Sequence, residues 1–134
     1  MKVAVRYFSR TGNTCALAYA VSQAVNAEAK DIKCDLEGET DVLFLGSSLY
    51  AGNFDASVGE FLEKNADKIG RIVCFGSSAS GKSTCGKVKL WAENRGIAVE
   101  DKYFNCPGHF LFLHKNRPNE DDLKAAAEFA RSVL

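Results

Sequence analysis

Ser9, Arg10, Thr11, Gly12, Asn13 and Thr14 put three hydroxyls, one amide and one guanidinium around a single glycine. They stand between an apolar run at 3–8 and a helical stripe that begins at Leu17. Such a set suits an anion. Hydroxyls and free backbone N–H groups donate, the positive end of a helix attracts, and glycine lets the backbone approach closely. An ordinary helix N-cap needs one hydroxyl. Three hydroxyls and an asparagine exceed that need, so the expected ligand group is a phosphate held without a lysine.

Two further runs are rich in Gly, Ser and Asn. Residues 46–55 read GSSLYAGNFD, and residues 76–83 read GSSASGKS. The second is a complete match to the nucleotide-binding pattern GxxxxGK[ST], in which backbone N–H groups cradle phosphates and the lysine, here Lys82, reaches them. Three points weigh against ATP or GTP as the ligand. That motif normally opens its fold, whereas little chain follows Ser83. No convincing apolar strand ending in a magnesium-binding aspartate lies downstream, residues 97–101 being a weak candidate. The loop at 9–14 would also be left without a role. Nucleotide binding through residues 76–83 is the lesser alternative.

The elements that must position these loops are legible from periodicity. Residues 3–8, 42–45 and 72–75 are nearly continuous in β-branched and aromatic residues, as in strands covered on both faces. Helical stripes follow: Leu17, Val21 and Val25; Val58, Phe61 and Leu62; Val88 and Trp91; Leu123, Ala126, Ala127 and Ala130. Asn119 before Glu120, Asp121 and Asp122 signals an N-cap with acids at the positive helix end, and Gly96 suits the end of the third helix. Residues 29–34 and 97–104 are more polar and read as edge strands. Residues 35–41 are too few for a crossover helix, so an abbreviated loop is expected there. Alternating strand and helix give an α/β class: one domain over residues 1–134, a three-layer αβα sandwich with a parallel sheet and right-handed crossovers. Ligands of such sheets bind beyond the carboxyl ends of the strands, where all three loops would lie.

The 134 residues, 14.6 kDa, are enough for one core. Seventeen basic residues balance 17 acidic ones, which gives no reason to expect nucleic acid or an anionic membrane as partner. The chain shows no secretory leader pattern and no stretch long enough to span a bilayer, so a cytoplasmic protein is expected. The five cysteines, Cys15, Cys34, Cys74, Cys85 and Cys106, contain no CxxC pair. They read as small buried hydrophobes rather than a disulfide scaffold or zinc site. Trp91 reads as core.

A strand followed by SRTGNT resembles the phosphate loop of the flavodoxin family, whose usual form is Ser/Thr-x-Thr-Gly-x-Thr; Ser9, Thr11, Gly12 and Thr14 match it. GSSLYAGNFD resembles the loop that flanks the isoalloxazine ring in that family, and GHFLFLHKNRPNEDDLKAAAEFA its last strand and helix. The resemblance implies five parallel strands in the order 2-1-3-4-5 and flavin mononucleotide (FMN) as a noncovalent cofactor. Residues Ser9, Arg10, Thr11, Gly12, Asn13 and Thr14 would hold its phosphate. Ser48, Leu49, Tyr50, Ala51, Gly52 and Asn53 would flank the ring, with Tyr50 stacking and the Gly52–Asn53 peptide free to turn toward N5; Phe54 is a second candidate for the ring contact. Ser77, Ser78, Ala79, Ser80, Gly81 and Lys82 would border the pyrimidine edge through backbone N–H groups.

By the same resemblance the protein is expected to shuttle electrons between a reductase and an acceptor protein, as a monomer, with no side chain acting as an acid–base catalyst. The loop at 48–53 is also similar to that of flavodoxin-type protoporphyrinogen oxidases, so a small FMN-dependent quinone or porphyrinogen oxidoreductase is the alternative; the chain lacks a long inserted loop to hold such a substrate. Two departures from the family stand out. The chain is neutral where flavodoxins are strongly acidic, and it has no aromatic residue within 76–84.

Overall fold

The computed structural model of the chain describes residues 1–10, 12–50, 52–78, 80–108 and 116–134. Its strands are Val3–Tyr7 (β1), Ala29–Asp31 (β2), Thr40–Gly46 (β3), Ile69–Ser78 (β4), Ala98–Val99 (β5) and Phe104–Pro107 (β6). Every pairing is parallel, in the order β2-β1-β3-β4-β5, with β6 also paired to β4. The helices are Asn13–Val25 (α1), Ala56–Asn65 (α2, followed by a 3-10 turn at Ala66–Lys68), Cys85–Glu93 (α3) and Glu120–Ser132 (α4).

Alternation along the inner strands assigns each face its helices. Val5, Val42, Phe44, Val73 and Phe75 pack with Leu17, Val21, Ala126 and Ala130, so α1 and α4 cover one side. Ala4, Leu43, Leu45, Ile72 and Cys74 pack with Val58, Leu62, Cys85 and Val88, so α2 and α3 cover the other. The three strongly apolar runs are thus buried on both faces. Trp91 is half-buried against the second cluster, and its indole N–H donates to Glu63 at 2.6 Å.

The edge strands differ from the sequence expectation. β2 stops at Asp31 rather than reaching residue 34, because Asp31 starts a turn: its carboxylate accepts from Lys33 N–H at 2.9 Å and its carbonyl from Cys34 N–H at 3.0 Å. The single strand expected at 97–104 is two. Ala98 and Val99 pair with Arg71 and Ile72, and Phe104 to Pro107 resume on the same side of β4 opposite Phe75 to Ser78. Between them Glu100 still holds to β4, its N–H donating to the Ile72 carbonyl at 2.8 Å and its carboxylate pairing with Arg71 at 3.2 Å, and Asp101 then pairs with Lys89 of α3.

The connection from β2 to β3 is the short loop expected, and the sheet beneath it is covered by other means. Leu36 is buried, its N–H donating to Asn65 Oδ1 at 3.0 Å. Arg6, 4% exposed within β1, donates to the carbonyls of Val5, Cys34 and Asp35 at 2.9 to 3.0 Å. A buried guanidinium is tolerable only when its donors are satisfied in this way. Among the described residues no helix is long and apolar enough to cross a membrane.

Candidate functional site

Parallel register brings the loops together. Tyr7 lies opposite Gly46, and Gly46 opposite Phe75, so β1 and β3 reach their carboxyl ends level with each other, beside a β4 that runs on to Ser78. The contact is close enough to demand glycine. A Cβ on Gly46 would meet the Phe75 ring at 2.5 Å, and one on Gly76 would meet the Ser47 carbonyl oxygen at 1.8 Å.

The first loop enters α1 through Gly12, whose φ of +90° is a left-handed conformation that favours glycine. Gly12 brings no side-chain cap to the amides of the first helical turn. Its own N–H donates to Ser9 Oγ at 2.9 Å, leaving the Ser9 proton available to another acceptor. Asn13 is half-buried at the start of α1. Thr14 is 1% exposed, and its hydroxyl lies 3.1 Å from Ser48 Oγ and 3.3 Å from Ser77 Oγ. The three loops are therefore joined by three hydroxyls, one from each. Ser48 Oγ also donates to the Ser77 carbonyl.

In the second loop Tyr50 and Asn53 exchange backbone hydrogen bonds at 2.7 and 3.2 Å, closing a tight turn with Gly52 at φ +83°. Leu49 and Tyr50 are half-buried, and Gly52 and Asn53 exposed. The Arg10 guanidinium lies 3.7 Å from the Tyr50 ring centre, and the edge of Phe8 meets the same ring at 6.3 Å between centroids. Arg10 also donates to Asp55 Oδ1 at 2.7 Å. Phe54 packs half-buried against the core.

The third loop does not have the form its GxxxxGK[ST] match would require. Gly76, Ser77 and Ser78 belong to β4, and α3 begins only at Cys85, beyond Lys82 and Ser83. The run thus neither leaves the sheet at its first glycine nor leads its lysine directly into a helix. Ser78 Oγ donates to the Lys82 carbonyl at 3.0 Å, Lys82 N–H to Ser80 Oγ at 3.4 Å, and Gly81 N–H to the Ser78 carbonyl at 3.4 Å. Ser80, Gly81 and Lys82 are exposed. Of the expected site residues, Thr11, Ala51 and Ala79 lie outside the described residues.

Three participants were not singled out from sequence. Asp55 caps α2 by accepting from Ser57 N–H and Oγ, and with Arg10 these bonds hold its carboxyl down at about 2. Asn105 Nδ2 lies 3.4 Å from Ser78 Oγ. Gly108, just past β6, sits so near Ser77 that a Cβ would come within 3.1 Å of its Oγ. Only Asp55 had a local signal, its place as an N-cap residue before the stripe at Val58.

Electrostatically the site is mild. No carboxylate occurs in residues 9–14 or 76–83, and Asp55 is neutralised by Arg10. The assembled loops present hydroxyls, backbone N–H groups, one aromatic ring and two cations, a donor-rich surface suited to an anion beside a flat ring. Of the cysteines, Cys74, Cys85 and Cys106 are buried as expected, whereas Cys15 is half-buried and Cys34 exposed in the turn after β2.

No family model matches the chain. An uncharacterized protein of Methanocaldococcus jannaschii is 29% identical over 149 residues, spanning 100% of this chain and 99% of the relative. Among solved structures, a flavodoxin from the domain Archaea superposes with a TM-score of 0.79 at 18% identity, over 99% of this chain and 96% of the other. The two-electron reduced flavodoxin of Megasphaera elsdenii superposes with a TM-score of 0.66 at 24% identity, over 97% and 98%. With its parallel sheet in the order β2-β1-β3-β4-β5 and helices on both faces, the chain has the flavodoxin-like α/β fold.

Proposed function

We propose that the protein binds FMN noncovalently across its three loops and shuttles electrons between a reductase and an acceptor protein. The observation that carries this reading is the junction of Thr14, Ser48 and Ser77, which brings a phosphate-type loop, a turn bearing an aromatic ring and an amide-rich loop to one edge of the sheet. The residues fit the cofactor. Where a Cβ of Gly12 would stand nothing lies within 4 Å, so an anion can come up to the backbone there. Ser9, Arg10, Asn13 and Thr14 supply hydroxyl, guanidinium and amide donors, residues 9–14 contain no acid, and Asp55 is paired with Arg10.

FMN supplies the electron-accepting ring. The chain's part is to hold and orient that ring, to shield one of its faces and to leave an edge open to partners. Tyr50 would give the stacking face, the Gly52–Asn53 peptide an adjustable backbone carbonyl, and residues 77–82 N–H donors to the ring's far edge. The protein would work as a cytoplasmic monomer, and none of its side chains needs to exchange a proton with a substrate.

Titration of apoprotein with FMN, riboflavin and Mg-ATP, followed by flavin fluorescence and calorimetry, tests the cofactor. Stoichiometric quenching with FMN, weaker quenching with riboflavin and no heat with ATP are expected. ATP binding without FMN binding would sink the proposal. Reduction of the bound flavin by a ferredoxin reductase, and its reoxidation by an acceptor protein, tests the electron-carrying role.

A further inference from the structure

Ser78, the last residue of β4, is buried at the point where the third loop leaves the sheet. Its carbonyl accepts from Gly81 N–H at 3.4 Å and from Gly108 N–H at 3.3 Å. Its hydroxyl donates to the Lys82 carbonyl at 3.0 Å and accepts from Asn105 Nδ2 at 3.4 Å. The bonds with Gly81 and Lys82 fold the loop back on its own root. Those with Asn105 and Gly108 tie that root to β6 and the residue just past it.

The bonds at the Ser78 hydroxyl have a fixed direction. A serine hydroxyl carries one proton, and a carbonyl can only accept, so that proton lies toward Lys82. The carboxamide of Asn105 must then present its NH2 group, not its oxygen, to Ser78. Donation runs one way, from Asn105 to Ser78 to Lys82. Within the turn Gly81 N–H is taken up by the Ser78 carbonyl and Lys82 N–H by Ser80 Oγ. Ser80 is exposed, and among the described residues its N–H has no acceptor.

We propose that Asn105 is a positioning residue for the flavin ring: through the Ser78 hydroxyl it holds the turn at 78–82 with the Lys82 carbonyl drawn in and the Ser80 N–H left as the donor offered to the ring's edge. The role at the ring rests on the FMN reading above; the relay itself does not. Asn105 acts only through Ser78, so its effect depends on which way the Ser78 proton points. Asn105→Asp keeps the shape of the side chain and reverses that direction. A carboxylate only accepts, and a charged acceptor competes for the Ser78 proton better than a carbonyl does, so the Lys82 carbonyl is released.

The test reads amide exchange residue by residue by NMR on the full chain, first without flavin and then with FMN or riboflavin. In the flavin-free protein Asn105→Asp should quicken exchange at Gly81 severalfold and leave the inner strands unchanged. In the unaltered chain both flavins should slow exchange at Ser80. In Asn105→Asp both should bind severalfold more weakly and by the same factor, with Ser80 unprotected, because the ring rather than the phosphate has lost its donor. Ser78→Ala alone should reproduce these effects. Asn105→Ala should act more mildly than Asn105→Asp, and with Ser78→Ala in place the two should converge, since no proton remains to redirect. Unchanged Gly81 exchange and riboflavin affinity in Asn105→Asp overturn the proposal, as does a difference between the Asp and Ala variants that persists without the Ser78 hydroxyl. An unaltered chain that binds neither flavin overturns the FMN reading, and the ring role with it, even where Gly81 responds; that pattern is distinct from the other two.

Discussion

The Arg10 guanidinium covers the face of the Tyr50 ring at 3.7 Å while holding Asp55 at 2.7 Å. One residue of the first loop thereby touches both the aromatic ring of the second loop and the cap of α2. Arg10 is exposed, so its stacking and ion pair together are worth only about 1 kcal/mol. Arg10→Gln should leave the melting temperature nearly unchanged. In the FMN reading it should weaken FMN severalfold and riboflavin hardly at all, because the lost charge faces the phosphate. Tyr50→Ala should weaken both flavins alike. Paired fluorescence titrations separate the two, and equal losses of FMN and riboflavin in Arg10→Gln would remove Arg10 from the phosphate site.

Thr14→Val keeps the shape of the buried side chain and deletes the hydroxyl between Ser48 and Ser77. The loss of a buried hydrogen bond should cost about 1 kcal/mol in denaturant unfolding. FMN affinity should fall by more than that stability loss implies, with riboflavin much less affected. A variant that binds FMN normally would show that the Thr14 hydroxyl serves only the loops.

Gly76→Ala tests the close approach of β3 and β4. The added methyl would lie 1.8 Å from the Ser47 carbonyl, and backbone cannot swing aside as a side chain can. A loss of about 3 kcal/mol is expected, at the upper end of overpacking effects. A stability change under about 1 kcal/mol, measured by urea unfolding, would contradict the strand spacing described here.

Two helix starts should make the fold acid-sensitive. Asp55 has its carboxyl held at about 2 against an ordinary 3.8 by Ser57 and Arg10, and Asp122 is lowered by Arg117, which it binds through both oxygens at 2.6 and 2.7 Å. Because both values are depressed by folding, the stabilisation is fully present above the ordinary carboxylate range. It is lost as pH falls through that range toward 2. Asn119 completes the capping box of α4 with Asp122. Asn119→Ala should cost about 1 kcal/mol at neutral pH, and Asp55→Ala should flatten the decline in melting temperature between pH 4 and pH 2.

In the FMN reading, net neutrality bears on the potentials of the flavin. A site with no carboxylate in residues 9–14 or 76–83, and with Asp55 paired to Arg10, penalises a reduced anionic flavin less than an acidic one does. The second potential of the bound flavin is expected to be less negative than in strongly acidic flavodoxins. A spectroelectrochemical titration giving an equally low value would refute this.

Local chemistry by itself determined much of this protein. Continuous apolar runs marked β1, β3 and β4, stripes at helical spacing marked all four helices, and Asn119 announced the start of α4, because these signals are complete within a dozen residues. The phosphate-type loop at 9–14 was conspicuous for the same reason. What tertiary structure alone decided rests on partners distant in sequence. β4 runs on through Gly76, Ser77 and Ser78, residues poor in strand propensity, because β6 pairs with them and the Ser47 carbonyl needs the space a glycine leaves. The edge beyond β4 is two strands, Ala98–Val99 and Phe104–Pro107, with Glu100 and Asp101 between them paired to Arg71 and Lys89. Arg6 is buried because carbonyls of another loop satisfy it. The junction of Thr14, Ser48 and Ser77 exists only because parallel register sets Tyr7, Gly46 and Phe75 level with one another. Residue type governs what a side chain can donate, accept or bury, whereas strand register governs which distant side chains it meets.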